Sequence, residues 1–218
     1  DSMQKGVKPY DSSLANIKRE LEHELYKKYN KEIEVNIFAD LIDIDDKSWS
    51  NAIEAIMHNQ KFNLFVEPKY YIDAYKILRT LLEKYRYFGT ALVDQEKIIE
   101  RDIKPEVGSL SEEILTSHIG ARAYTNYLIG RVKKCANVEQ ARESGNGVTK
   151  ECDLYRNFTL AKMNPRLYAT SYIGTNIGAK QIQDKKSEIV ELNTVILKFK
   201  EIYNLINSIN SLEVINSN

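Results

Sequence analysis

The sequence predicts an α/β (α+β) globule held between two helical ends, and three observations carry that expectation. Apolar stripes at helical spacing occupy both termini; short strand-like runs alternate with helical stripes between them; and charge is unevenly spread along a chain whose sum is zero. The chain has 218 residues, 31 Lys and Arg against 31 Asp and Glu, and 43% hydrophobic residues, enough for one compact core or two small ones. No apolar run approaches ~20 residues, so no membrane span is expected. Two cysteines argue against a disulfide scaffold and for a reducing compartment.

From the N-terminus, Leu14, Ile17, Leu21 and Leu25 form a stripe that Asp11 or Ser12 can cap. Ile33, Val35 and Ile37 alternate as a strand would, and the apolar run continues through Phe38, Leu41, Ile42 and Ile44. Asp45 or Asp46 then caps a helix bearing Trp49, Ile53, Ile56 and Met57. A short buried strand is expected at 62–66, a helix through Tyr71, Ala74, Leu78, Leu81 and Tyr85, and a third strand at 88–93. The loop 102–108 closes this half. Ser109 with Glu112 reads as a capping box, followed by a helix through Tyr124, Tyr127 and Leu128 that stops at Gly130. A strand at 131–136, a short helix at 138–142, a Gly145-Asn146-Gly147 turn and strand pieces at 148–149 and 154–160 follow, then an Asn164-Pro165 turn. Ile189, Leu192, Ile196, Phe199, Tyr203 and Ile206 repeat at 3, 4, 3, 4, 3, a heptad seam. Each terminal seam needs a partner, and the simplest partner for one is the other, running antiparallel.

Residues 31–113 carry eleven basic and seventeen acidic side chains, a net of −6, whereas residues 114–186 carry twelve basic and five acidic, a net of +7. The local excess of cations makes nucleic-acid phosphate contact the expected role of Arg122, Arg131, Lys133, Lys134, Arg142, Lys150, Arg156, Lys162 and Arg166. An alternative is that the basic half binds an acidic partner protein or the chain's own acidic half. The scattered His23, His58 and His118 give neither Cys135 nor Cys152 a ligand set or a base, so no metal and no catalytic thiol is expected. Gly174–Lys180 fails the phosphate-loop spacing. The Asp40, Asp43, Asp45 and Asp46 cluster lacks the glycine and terminal Glu of a calcium loop and reads as capping and acidic surface. A nucleotide-binding or metal-dependent nuclease domain using that cluster is the competing functional class.

Several segments resemble the hinge domain of SMC (structural maintenance of chromosomes) proteins. Phe38-Ala39-Asp40-Leu41-Ile42-Asp43-Ile44 and Trp49-Ser50-Asn51-Ala52-Ile53-Glu54 are similar to its opening strand and helix, and Asn63-Leu64-Phe65-Val66-Glu67 to its next strand. Tyr127-Leu128-Ile129-Gly130-Arg131-Val132 and Val138-Glu139-Gln140-Ala141-Arg142 look like the helix, strand and helix of its second subdomain, and Val148-Thr149 through Leu154-Tyr155 like its late hairpin. Asn59-Gln60-Lys61-Phe62-Asn63, Asn164-Pro165-Arg166 and Tyr172-Ile173-Gly174 look most like the MukB-like SMC subunit of bacterial Wadjet plasmid-defence systems. The resemblance covers roughly residues 33–178. It implies an arm stub at 1–31, hinge subdomain I at 32–108, subdomain II at 109–178 and a second arm stub at 179–218, the two stubs pairing as an antiparallel coiled coil. It further implies a non-catalytic homodimer with DNA and other complex subunits as partners, no cofactor, and a cytoplasmic, nucleoid-associated location. The family's paired late glycines are reduced here to Gly130 and Gly174, which with Tyr172 are the expected interface residues. ATPase head motifs are absent, so the chain is expected to belong to a longer ATPase, with Asp1-Ser2-Met3 a cloning remnant.

Overall fold

A computed structural model describes residue 8, residues 10–174 and residues 191–209. The chain forms two units, Asp1–Ile177 and Gly178–Asn218. In the second, residues 191–209 are helical, and the seam residues Leu192, Ile196, Phe199, Tyr203 and Ile206 are exposed. Ile189 and the Gly174–Lys180 segment beyond Gly174 lie outside the described residues.

The first unit opens with helix α1 (Ser12–Tyr29), whose N-terminus is capped by the Asp11 carboxylate accepting from the Ser13 N–H at 2.7 Å. Leu14, Ile17, Leu21 and Leu25 are fully buried. Their cover includes helix α3 (Tyr71–Tyr85), which packs along α1. Lys84 to Glu20 (2.6 Å) and Lys28 to Asp73 (2.5 Å) border the contact.

Strand β1 (Asn36–Ile37) pairs antiparallel with β3 (Leu64–Phe65), and β2 (Asp43–Ile44) with β4 (Ile114–Leu115). These strands are shorter than the alternation of Ile33, Val35 and Ile37 predicts. Ile33 and Val35 are buried by side-chain packing but lie outside any strand, and the chain turns into a 3-10 turn at Phe38–Asp40 whose Phe38 and Ala39 are both buried. The strand expected at 88–93 is likewise replaced by a single bridge. Leu64 donates to Ala91 and accepts from Val93, while Phe88, before Gly89, is exposed. Asp46 caps a 3-10 turn at Lys47–Trp49 that leads into helix α2 (Ser50–Met57). The sequence reading missed helix α4 (Gln95–Glu100), which has six residues and whose cap, Asp94, accepts from the Lys97 N–H.

Ser109 and Glu112 do not form the expected box. Glu112 Oε1 accepts instead from the Gly108 N–H at 2.7 Å, the turn is 3-10, and the buried Ser109 hydroxyl has no partner among the described residues. The long helix starts later, as α5 (Ile119–Ile129), and His118 caps it: Nδ1 accepts from the Ala121 N–H at 3.1 Å. Only an imidazole with a bare Nδ1 can do this, and burial pulls the His118 pKa below its ordinary value although Glu34 opposes the shift. The folded chain therefore binds this proton less readily than the unfolded chain. Stability from the cap is complete above the unfolded value near 6.5 and falls as pH drops through the interval below it. A helix cap contributes about 1 kcal/mol. His118→Asn, which caps without titrating, is expected to shrink the fall in melting temperature between pH 7.5 and 5; an unchanged fall would show that His118 has no part in it.

Gly130 ends α5 in right-handed conformation rather than as a left-handed cap, and a Cβ there would run into the Asn126 carbonyl. Strands β5 (Lys133–Cys135), β6 (Gly147–Thr149), β7 (Asp153–Arg156) and β8 (Thr159–Lys162) form one sheet in that order. The β5–β6 pair is parallel, joined through helix α6 (Val138–Ser144), and the other pairs are antiparallel. Gly145, at φ 74°, closes α6, and Gly147 lets β6 pass Cys135 Sγ and Ser144 Oγ where a Cβ would collide. The expected strand piece at 154–160 is a hairpin, folded at Asn157 (φ 53°) and Phe158 (φ 63°).

Candidate interaction surface

The sheet β5–β8 has one covered and one open edge. β5 is bridged by Ser109 through Lys133, whereas among the described residues β8 pairs with β7 alone, and all four of its residues are exposed. Phe158, at the hairpin tip, is 95% exposed and Leu160 51%. An unprotected strand edge with two apolar side chains is a pairing surface by its chemistry.

The nine basic residues separate into two groups. Arg122 is half-buried, donates to the Ser111 (3.1 Å) and Ile114 carbonyls, and is a structural tie; burial lowers its pKa. Lys133 pairs with Glu106 (3.0 Å), Lys134 with Glu112 (3.1 Å) and Glu113, Lys150 with Asp46 (3.3 Å), and Lys162 with Asp153 (3.5 Å). Lys150 also lies 5.3 Å over the Trp49 ring. Arg131, Arg142 and Arg166 are exposed and carry no ion pair among the described residues. Arg131 and Arg156 are brought together by Asn146, whose amide donates to the Arg131 carbonyl (2.8 Å) and accepts from Arg156 Nε (3.1 Å). The turn at Gly145–Gly147 thus ties the Arg131 backbone and the Arg156 guanidinium to one side chain, with Arg142 just before it in the chain.

Of the three residues expected at a dimer interface, Gly130 is buried beneath its own helix end. Gly174 (φ 85°) is half-buried against Asp43 and Lys47. The Tyr172 ring stacks on Tyr10, with centroids 5.7 Å apart, and meets Phe62 edge-on at 4.8 Å. Beneath it lies a feature the sequence reading missed, a fully desolvated ion pair between Glu54 and Lys61 at 2.6 Å. A signal for it existed. Glu54 is the lone charge within the otherwise apolar run Ala52-Ile53-Glu54-Ala55-Ile56.

The carboxylates of Asp40, Asp43 and Asp46 each have other work. Asp40 pairs with Lys8 and accepts from the Tyr10 hydroxyl, Asp43 pairs with Lys47, and Asp46 caps and meets Lys150. Among the described residues no three His, Cys, Asp or Glu side chains converge as metal ligands, and no helix is long and apolar enough to cross a membrane. Cys135 and Cys152 are buried free thiols, the latter with its pKa raised by burial.

No family model matches the chain, and no curated protein matches it. Solved structures do. An asymmetric dimer of the Geobacillus stearothermophilus SMC hinge domain superposes with a TM-score of 0.56 at 17% identity, covering 88% of this chain and 79% of that one. A structure described as the folded elbow of cohesin matches with a TM-score of 0.53 at 16% identity over 96% of this chain and 32% of that one. The α+β fold expected from the sequence is therefore the fold of an SMC hinge domain.

Proposed function

We propose that this chain is the dimerising hinge of an SMC-like protein, a non-catalytic module that joins two helical arms and offers a basic surface to DNA. The fold likeness supports the first part, since one matched structure is itself a hinge dimer. The observation that carries dimerisation to this chain is the open β8 edge with Phe158 and Leu160 beside it. An added strand from a second copy would satisfy that edge and cover both side chains. Part of the net of −6 in residues 31–113 and +7 in residues 114–186 is met by ion pairs within one chain, and the remainder favours contact between unlike halves of two copies. Gly130, Gly174 and Tyr172, the interface residues the resemblance implies, have their observed contacts with Asn126, with Asp43 and Lys47, and with Tyr10 and Phe62, so the β8 edge is the main contact of this reading.

Light scattering at tens of micromolar is expected to give twice the 25.2 kDa chain mass. Leu160→Lys, which adds a charge to the open edge, should move the mass towards the monomer with an unchanged circular dichroism spectrum. A wild-type monomer, or an undisturbed Leu160→Lys dimer, would remove β8 from the account.

For DNA, the Arg131, Arg142 and Arg156 group around Asn146 is the strongest contact, with Arg166 as a further cation. Lys133, Lys134, Lys150 and Lys162 contribute after exchanging their carboxylate partners for phosphate. Fluorescence anisotropy with labelled DNA should show the double variant Arg131→Glu, Arg156→Glu binding about tenfold more weakly or worse, with a shallower salt slope. Equal binding and slope would place the DNA elsewhere. The parent protein would then be an ATPase working with other subunits on the bacterial nucleoid. Asn59–Asn63, Asn164–Arg166 and Tyr172–Gly174 support its assignment to the SMC subunit of a Wadjet-type plasmid-defence complex.

A further inference from the structure

We propose that the Glu54–Lys61 pair pins a two-sided strap, fastening an early segment of the first unit, at Lys8 and Tyr10, and a late one, at Leu167–Ile173, so that the two segments open together. On the outgoing side, Glu54 Oε1 accepts from the backbone N–H groups of Tyr172 (2.6 Å) and Ile173 (2.8 Å), and the Ser171 hydroxyl lies at 3.4 Å. Lys61 Nζ reaches the Glu54 carbonyl (3.3 Å) and the Leu167 carbonyl (3.4 Å), and lies 5.1 Å from the Tyr172 ring centroid. On the incoming side, Tyr10 stacks on Tyr172 and meets Phe62 edge-on at 6.2 Å. Its hydroxyl donates to Asp40 at 2.7 Å, and burial is the main reason its pKa is raised, with Asp40 and Glu54 adding to it. Lys8 donates to the Ala39 carbonyl at 2.7 Å and pairs with Asp40 at 2.9 Å.

The coupling follows from desolvation. The Glu54 and Lys61 side chains are 2% and 4% exposed, so neither charge has water to replace a lost partner. If Tyr172 and Ile173 leave, Glu54 loses two amide donors and Lys61 its aromatic face, and Tyr10 loses the ring it stacks on. If Tyr10 leaves, water reaches the Tyr172 ring and the pair beneath it. The strap thus has no stable half-open form, and pulling on either end of the chain loads the same ion pair.

Amide hydrogen exchange on the whole chain tests this from both sides. Tyr10→Leu, which removes a stacked ring but no charge and no partner of Glu54, is expected to speed exchange of the Tyr172 and Ile173 amides by roughly tenfold. The double variant Glu54→Gln, Lys61→Met leaves an acceptor for those amides and strands no charge. It should speed exchange of the Tyr10 amide, which donates to the Lys8 carbonyl at 2.9 Å, although the hydrogen bond and ion pair of the Lys8 side chain go to Ala39 and Asp40. The Val148 amide, in the distant strand β6, should stay unchanged in both. A response confined to the mutated side would overturn the strap, and so would a rise that includes Val148, because that is loss of the fold rather than of a latch.

Discussion

Replacing Glu54 by Gln is expected to be among the most destabilising single changes in the chain. The substitution keeps the shape and an oxygen for the Tyr172 and Ile173 amides, but leaves the Lys61 ammonium buried without its one ion-pair partner among the described residues. Breaking a buried pair by removing one charge costs about 3–5 kcal/mol. At roughly 2–4 °C per kcal/mol for a chain of this size, the melting temperature should fall by on the order of 10 °C. Glu54→Gln combined with Lys61→Met removes both charges and should recover most of that loss, because a desolvated pair is offset by its own desolvation cost. Thermal melts of the two variants decide the matter. Equal losses in both would mean that the charge is not what the site depends on.

Leu21→Ala should cost a comparable amount for a different reason. Leu21 is fully buried in the middle of the α1 stripe, with α3 packed against that helix. Truncating a buried leucine removes its transfer energy and leaves a cavity, together about 2–5 kcal/mol. The loss should appear as a lower midpoint in urea with the slope preserved, which marks a change in stability and not in the extent of structure. A shift of a few tenths of a kcal/mol would show that α1 is an appendage that frays without consequence for the core.

The helices were the legible part of this fold because their signals are local. The stripe Tyr71, Ala74, Leu78, Leu81 and Tyr85 fixes α3, and Gly145 closes α6 where the turn was expected. The two-residue strands were not legible, because their pairing is decided by partners far along the chain. Ile44 faces Ile114, and no local pattern announces that register. The hairpin at Asn157-Phe158 was hidden by the rarity of a bulky residue at positive φ. The same distance problem affected the cations. Lys150 meets an aspartate 104 positions away and Lys134 a glutamate 21 positions away, so counting charges by segment overstated how many are open to phosphate. Part of the basic half is neutralised by the chain's own acidic half, and among the described residues that leaves Arg131, Arg142, Arg156 and Arg166 without an ion pair.

The tip of the β7–β8 hairpin has a consequence in the energetics of the isolated chain. A turn with both central residues at positive φ strongly prefers glycine at its second position, and here that position is Phe158. A non-glycine residue in this region costs on the order of 1 kcal/mol or more, and an aromatic ring left 95% in water returns almost nothing for it. The single chain therefore stands above the conformational minimum that a glycine there would reach. Covering the ring in an assembly would recover apolar burial at a site whose backbone is already set in the exposed geometry, with no further ordering to be met at the moment of contact. In the dimer proposed above, the hairpin would meet its partner with its backbone already in place.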